Sequence, residues 1–405
     1  MPCYRVPVST VNLKFDYPWP LLRVIVEGTS ILDIPKLELK NMEEATKFVE
    51  AYGFEPSDSN DQELMWGFFE EAVEFLEKSL ADPEFPKVPE HLKTRKAVSD
   101  IRRLLLLASE PAPSTDRTYA CALLRLMHIH IHLAHDPRLR FFEQVQSQVL
   151  NRMDRYIFTD EKTGVTYLGS PDANSEKIKL LFYKKKDHKD RVREIIKLLH
   201  KTDSLVEDIY DRIGFRLVTE SKIDAVRAVR LLVEKNIIGV PNVRPGRSRN
   251  RLVDWKRLTF EIDRIKVHQV KSGEQAAYVE KMVKRLEKRI AASRPGLSIF
   301  NPHSSEYFRA IQFTARELVK VKNPAYQVYQ KTKAELESVN NGMDILGRLY
   351  PEPVPAFEYF FFPYEIQIMD VKAYADSIFG KSNHEEYRRK QLTAARNRVI
   401  GRDVS

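Results

Sequence analysis

An α+β chain is what this sequence predicts: an α-rich N-terminal domain over 1–160, then a mixed β-sheet flanked by helices over 175–405. Three observations predict it. Up to about residue 156 apolar residues recur at helical spacings. Beyond a polar, glycine-bearing linker at 160–172, strand-like and helix-like segments alternate. The charge changes sign near the same place. Residues 1–150 carry 17 Lys and Arg against 23 Asp and Glu, whereas 151–405 carry 49 against 34.

Residues 1–35 are expected to be extended. Val6, Val8, Val11, Leu13 and Phe15 have strand-like spacing, and Pro18 and Pro20 follow. Asn41 to Ala51, Asp61 to Ala81, Lys96 to Ser109, Asp116 to Ala134 and Leu139 to Tyr156 read as helices. Pro83, Pro86, Pro89 and Pro137 break the chain between them. A short hairpin is expected around Gly164. Ser175 to Lys201 reads as a basic helical region, Gly214 to Thr219 as a strand and Ile223 to Lys235 as an amphipathic helix. Arg244 to Arg251 reads as a basic turn, Leu258 to Val270 as a strand and Gln275 to Ala292 as a helix. Phe308 to Val321 is a strand candidate, Ala325 to Leu346 a helix, Phe357 to Met369 an aromatic-rich strand, and Val371 to Val399 helical.

Composition excludes several classes. No stretch approaches the roughly 18 uncharged apolar residues a membrane helix needs, so no membrane partner is expected. Met1 to Arg5 opens no apolar signal core, so secretion is not expected. Two cysteines, Cys3 and Cys121, cannot build a disulfide framework, which fits a reducing cytosol. The basic C-terminal two-thirds points to a polyanionic partner, nucleotide phosphates or nucleic acid, or else to a solvated basic surface.

Three segments carry candidate chemistry. In Asp208 to Arg216 an acid stands at the mouth of a strand, and an arginine follows five residues later. A carboxylate there can hold Mg2+, which takes few protein ligands and completes its shell with water and phosphate oxygens. Arg216 can complement phosphate charge. In Pro363 to Met369, Glu365 and Gln367 share one face of a strand, while Ile366 and Ile368 point the other way. That face is either the wet side of an edge strand or the second acid of a metal–nucleotide site. In the basic run from Lys177 to Lys201, Lys189, Arg193 and Lys197 recur every four residues on one helix face. Like charges so stacked repel, and an anionic ligand would relieve them; interleaved Asp187, Asp190 and Glu194 offer the alternative of a solvated helix. A further cluster, His128, His130, His132 and His135 followed by Asp136, includes the i, i+4, i+7 spacing of a metal site. Histidines on a half-buried helix are more often satisfied by hydrogen bonds, and no metal-dependent hydrolase is inferred.

In order and placement these segments resemble the synthetase domain of the RelA/SpoT family of alarmone synthetases over roughly 177–395. There a Lys/Arg-rich helix precedes an acidic strand start, a strand ending in Ser-x-His, an E-[VI]-Q-[IL] strand and a helix with H-x-x-Y-[KR]. Asp211 to Arg216 stands for the first strand, and Phe308-Arg309-Ala310-Ile311-Gln312 for the second. Glu365-Ile366-Gln367-Ile368 stands for the third and His384-Glu385-Glu386-Tyr387-Arg388 for the helix. The resemblance implies a nucleotidyltransferase-like mixed sheet. It implies transfer of the ATP pyrophosphoryl group to a ribose 3′-hydroxyl of a guanosine nucleotide or of a tRNA end. Asp211 and Glu365 would hold Mg2+, with Glu365 also able to take the hydroxyl proton and Gln367 supporting the acceptor strand. Lys189, Arg193, Lys197 and Arg216 would bind ATP phosphates. Tyr307 or Phe308 would stack on the acceptor base, with Arg309, His384, Tyr387 and Arg388 completing the nucleotide site.

The chain departs from the family at the acceptor strand. Tyr307, Ala310 and Gln312 replace a glycine, a serine and a histidine, and 236–294 and 321–356 are expanded. These departures favour an altered acceptor or a catalytically degenerate regulator that binds nucleotide or RNA. A third possibility is an unrelated nucleic-acid binder working through Lys184 to Lys197 and Arg244 to Arg251.

Overall fold

The computed structural model describes residues 19–82, 87–172, 174–186, 191–200, 209–272, 276–292, 308–379 and 384–401; within these, the side chains at 19–21, 265–272, 276–280, 283, 291–292 and 384–387 are left undescribed. The fold is α+β, with a seven-stranded mixed sheet flanked by helices. By contacts the chain divides into two units that are not collinear with the sequence. The first is Met1–His135, Arg191–Val206 and Gln391–Ser405; the second is Asp136–Asp190 and Glu207–Lys390. The boundary expected near 160–175 thus falls inside the second unit, with strand β2 (Thr166–Gly169) within it.

The first unit is helical. It holds α1 (Trp19–Val26), α2 (Met42–Tyr52), α3 (Ser59–Glu74), α4 (Arg95–Val98), α5 (Arg102–Leu107), α6 (Thr115–Ala134), α9 (Arg191–His200) and the end of α16 (His384–Ile400). Side-chain caps start its helices where the sequence provides them: Asn41 Oδ1 accepts from Glu44 N, Asp58 Oδ1 from Asn60 N and Asp61 N, and Ser114 Oγ from Arg117 N. Gly53, at φ 108°, ends α2 in a left-handed turn that a side chain would strain. α6 packs against α3 and α5, with Phe69, Leu104, Leu123 and Leu126 fully buried. The close of α16 docks here through arginines: Arg396 Nε donates to Leu80 O, Arg398 pairs with Asp33, and Arg125 Nη1 donates to Val399 O.

The second unit holds α7 (Pro137–Arg140), α8 (Phe142–Asp154), β1 (Ile157–Thr159), β2 (Thr166–Gly169), β3 (Lys177–Lys186), β4 (Gly214–Thr219), α10 (Lys222–Glu234) and β5 (Arg249–Asn250). It continues with α11 (Trp255–Ser272), α12 (Ala276–Ala292), β6 (Ile311–Lys322), α13 (Pro324–Leu336), α14 (Gly342–Leu349), β7 (Phe357–Asp370) and α15 (Val371–Phe379). The strand order is β1-β2-β3-β4-β7-β6-β5, antiparallel throughout except for the central parallel pair β4/β7. That pair brings residue 214 opposite residue 365. On one face Phe215, Tyr364, Ile366 and Phe362 pack into the core, with Phe141 at the N-cap of α8 against Phe360 and Phe142 of α8 against Phe362. On the other face α15 covers one end of the central strands, where Tyr374 stacks on Phe182 at 4.9 Å. The other end of that face is polar, with Arg216, Gln312, Glu365 and Gln367 half-buried there.

Four expected elements differ. Residues 177–186 form strand β3, not helix; Lys177 and Lys179 are exposed while Ile178 and Leu180 are buried, a two-residue period. Leu258 to Val270 lies in helix α11, where Leu258, Ile262 and Ile265 keep the i, i+4, i+7 spacing. Trp19–Val26 is helical rather than extended, and the strand expected at Val6 to Phe15 lies outside the described residues. The helix expected over 325–346 is two helices, broken where Asn341 turns left-handed at φ 60°.

Candidate functional site

The polar end of the sheet is built by register. Residues opposite one another on paired strands point to the same face. β3, β4, β7, β6 and β5 therefore align Lys184, Arg216, Gln367, Gln312 and Arg249 in one row across five strands. The next row is Lys186, Gly214, Glu365 and Thr314.

Within these rows the polar groups form one chain of hydrogen bonds. Arg216 donates from Nε (3.1 Å) and Nη2 (2.9 Å) to Gln367 Oε1. Gln367 Nε2 donates to Glu365 Oε1 at 2.7 Å, and Gln312 Nε2 donates to Glu365 Oε2. Two neutral amides thus orient the carboxylate while Arg216 fixes one of them. Burial lowers the pKa of the Arg216 guanidinium, with Tyr374 and Glu365 pulling the other way. Burial likewise lowers Arg249, and Arg247 and Arg251 push it further down against the attraction of Glu365. Both cations therefore feel the Glu365 carboxylate.

Asp211 precedes β4 and accepts from Lys186 Nζ at 3.1 Å. The Glu365 amide donates to Ile213 O at 3.0 Å, tying the strand start that carries Asp211 to the strand that carries Glu365. Tyr210, next to Asp211, is buried between two guanidinium groups, with Arg244 at 4.3 Å and Arg247 at 4.8 Å from its ring centre. The basic turn 244–251 is anchored on β6 by Arg244 N to Thr314 O and Arg251 N to Ala310 O.

The expected site residues thus separate into three groups. Arg216, Glu365 and Gln367 share one sheet face within the second unit, and Asp211, three residues before β4, pairs with Lys186, whose backbone lies opposite Gly214 in the row of Glu365. Phe308 and Arg309 lead into β6; Phe308 is half-buried against the core and Arg309 faces Asp376 at 3.8 Å. Arg388 is exposed on α16. Arg193 and Lys197 lie on α9 in the first unit, exposed and half-buried. Lys189 and Tyr307, and the side chains of His384 and Tyr387, lie outside the described residues.

Sequence reasoning missed Lys186, Gln312 and Arg249 as members of this face. Lys186 was read as helical, and Gln312 stood out only as a departure from a histidine. Arg249 was assigned to a separate basic turn, although the alternation Arg247, Arg249, Arg251 is itself a strand signal.

Mg2+ commonly takes one or two carboxylates plus phosphate and water, and Glu365, an oxygen donor beside fixed cations, is of that chemical type, as is Asp211 before β4. Among the described residues no group of three or more His, Cys, Asp or Glu is arranged to hold a metal. The histidines of α6 are engaged otherwise. His128 Nδ1 meets the Tyr52 hydroxyl at 2.7 Å and its ring lies 4.3 Å from that of His132. His130 Nδ1 meets Glu71 at 2.6 Å, and His135 Nδ1 meets Ile131 O. Asp136 caps α7 and accepts from Arg138 and Arg212. No helix among the described residues is long and apolar enough to cross a membrane. No protein-family model matches this chain, and no curated protein matches it.

Proposed function

We propose that the second unit is a Mg2+-dependent pyrophosphotransferase of the RelA/SpoT type, taking ATP as donor and a ribose 3′-hydroxyl of a nucleotide or RNA end as acceptor. The observation that carries this reading is the oriented carboxylate: Glu365, held by Gln312 and Gln367 and faced by Arg216 and Arg249, at the polar end of the sheet, with Asp211 before β4. Four cations, Lys184, Lys186, Arg216 and Arg249, against two acids leave a positive excess for a polyphosphate. Cations fixed in place suit a reaction that is mainly positioning and charge stabilisation.

In this reading Arg216 and Lys186 bind donor phosphate oxygens. Glu365 orients the acceptor hydroxyl and takes its proton as the oxygen attacks the β-phosphorus, releasing AMP. Gln312 and Gln367 fix the carboxylate. Asp211 and Glu365 would hold Mg2+, which neutralises charge on the phosphates. Tyr210 between Arg244 and Arg247 stiffens the basic turn beside the acceptor strand. A cytosolic setting with free ATP and reduced thiols is part of the same proposal.

Incubation with labelled ATP, Mg2+ and a panel of GDP, GTP, ADP and tRNA tests it. A labelled acceptor with equimolar AMP is expected, and Asp211→Ala and Glu365→Ala should each abolish both without changing the melting temperature. A second reading, a degenerate nucleotide-binding regulator, is favoured by one observation: both Glu365 oxygens already accept from amide groups. ATP binding with no product from any acceptor would select it.

A further inference from the structure

The same sheet face continues outward along the β6–β7 ribbon, and there its character changes. From β6 it presents Arg316, Leu318, Lys320 and Lys322; from β7 it presents Phe357, Tyr359 and Phe361. Leu318, Tyr359 and Phe361 are 51, 59 and 45% exposed, while Val319, Val321 and Phe362 on the reverse face are buried. The ribbon is thus apolar on both sides, and among the described residues a covering layer, α8, packs on the reverse side. No acidic residue stands on the exposed side over 316–322 and 357–363. The cations lie over the rings: Arg316 is 5.3 Å from the Phe361 ring centre, and Lys320 is 3.9 Å from that of Phe357 and 5.8 Å from that of Tyr359. Exposed aromatics alone would suit any apolar partner. Aromatics alternating with unopposed cations suit a ligand that offers flat rings and negative charges at a regular spacing.

We propose that this ribbon face is a stacking surface for single-stranded RNA, which it guides toward the sheet end carrying Glu365. Successive rings on β7 stand ~6.8 Å apart along the strand, room for one base between two rings. The cations, released from the rings, meet the phosphates. Eight residues separate Phe357 from Glu365, ~27 Å of strand, so a bound strand reaches the acid along one continuous face. Binding to the ribbon stands on these ring and cation contacts alone. The choice of RNA, and of its 3′ end as the acceptor, rests on the function proposed above and refines its acceptor class.

The test measures polarisation of a labelled oligouridylate with the full chain at about 50 and about 200 mM salt. The comparison covers wild type, the double variant Tyr359→Ala and Phe361→Ala, the rescue variant Tyr359→Trp, and Glu365→Gln. The exposed ribbon positions leave folding intact, which melting curves check. Expected are a loss of about tenfold or more for the double variant, RNA affinity retained by Tyr359→Trp and by Glu365→Gln, and ATP binding unchanged in the ribbon variants. Equal affinity of wild type and the double variant would overturn the proposal, as would binding to phosphatidylserine vesicles with none to RNA. RNA binding that depends on the ribbon in a protein that never binds ATP would sink the pyrophosphotransferase and leave this surface standing. Turnover on mononucleotides with no RNA binding would do the reverse.

Discussion

Helix α6 and the polar end of the central sheet both gather chemistry-bearing side chains, and they use them in opposite ways. On α6 and its C-cap four histidines within eight residues are engaged locally: His128 by Tyr52, His130 by Glu71, His132 by the rings of His128 and Tyr52, and His135 by the carbonyl one turn back. On the sheet the carboxylate of Glu365 is also hydrogen-bonded, yet its partners are neutral amides and its surroundings are cationic. A side chain whose hydrogen bonds close within packed helices has finished its work in folding. A charge held in place by neutral donors, beside fixed cations, retains its capacity to bind or react. Density of titratable residues is thus a poor guide to a site, and the nature of their partners is a better one.

The widest separation between the two regions should come from paired substitutions. Glu365→Ala is expected to lower pyrophosphate transfer by about a thousandfold, within the general range for loss of a catalytic base, whereas His128→Ala and His132→Ala leave the rate unchanged. Initial rates with labelled ATP at saturating acceptor measure both. Equal losses at both places would erase the distinction.

Stability should show the converse. Asp136 is buried and accepts from Arg138 and from the fully buried Arg212; burial pushes its pKa up, but Arg138 and Arg212 hold it below the ordinary carboxylate range. Asp136→Ala strands buried positive charge and should cost about 3–5 kcal/mol in urea unfolding, more than any single histidine change on α6. A cost near that of an exposed substitution would remove this ion group from the account of the fold.

A smaller effect belongs to pH. Burial first, then His132, depresses His128 to about 4. A histidine that is harder to protonate when folded adds full stability above its unfolded pKa near 6.5, and that stability drains as pH falls from there toward 4. The half-buried setting limits the change to about 2 kcal/mol between pH 7 and pH 4. Urea midpoints across that range should therefore fall less steeply in His128→Gln than in wild type. Identical slopes would show that His128 titrates normally. The smallest effect is Ser221→Ala, which removes the cap on Asp224 N at the start of α10 and should cost about 1 kcal/mol without altering turnover.

Much of this architecture was legible in the sequence. Gly214–Thr219 as a strand, Thr115–Ala134 as a helix, the aromatic strand around Phe357–Asp370 and the shared face of Glu365 and Gln367 all follow from local periodicity. Residues 177–186 were misread because their lysines invite a helical charge pattern, although their burial alternates every second residue. Helix α11 was misread for the opposite reason, since Phe260 and Ile262 mimic a strand while Phe260 is exposed.

By itself the sequence determined which residues share a face within one element, because a side chain's direction follows from the two-residue or 3.6-residue period of its own backbone. It also determined the basic bias beyond residue 150 and the two acids worth following. Only the tertiary structure decided which faces meet: that Gly214 lies opposite Glu365, that Lys186 reaches Asp211, and that Arg249 and Gln312 complete the row. Strand register between segments 151 residues apart is set by burial of whole faces against α8 and α15, and no short stretch of sequence encodes that choice.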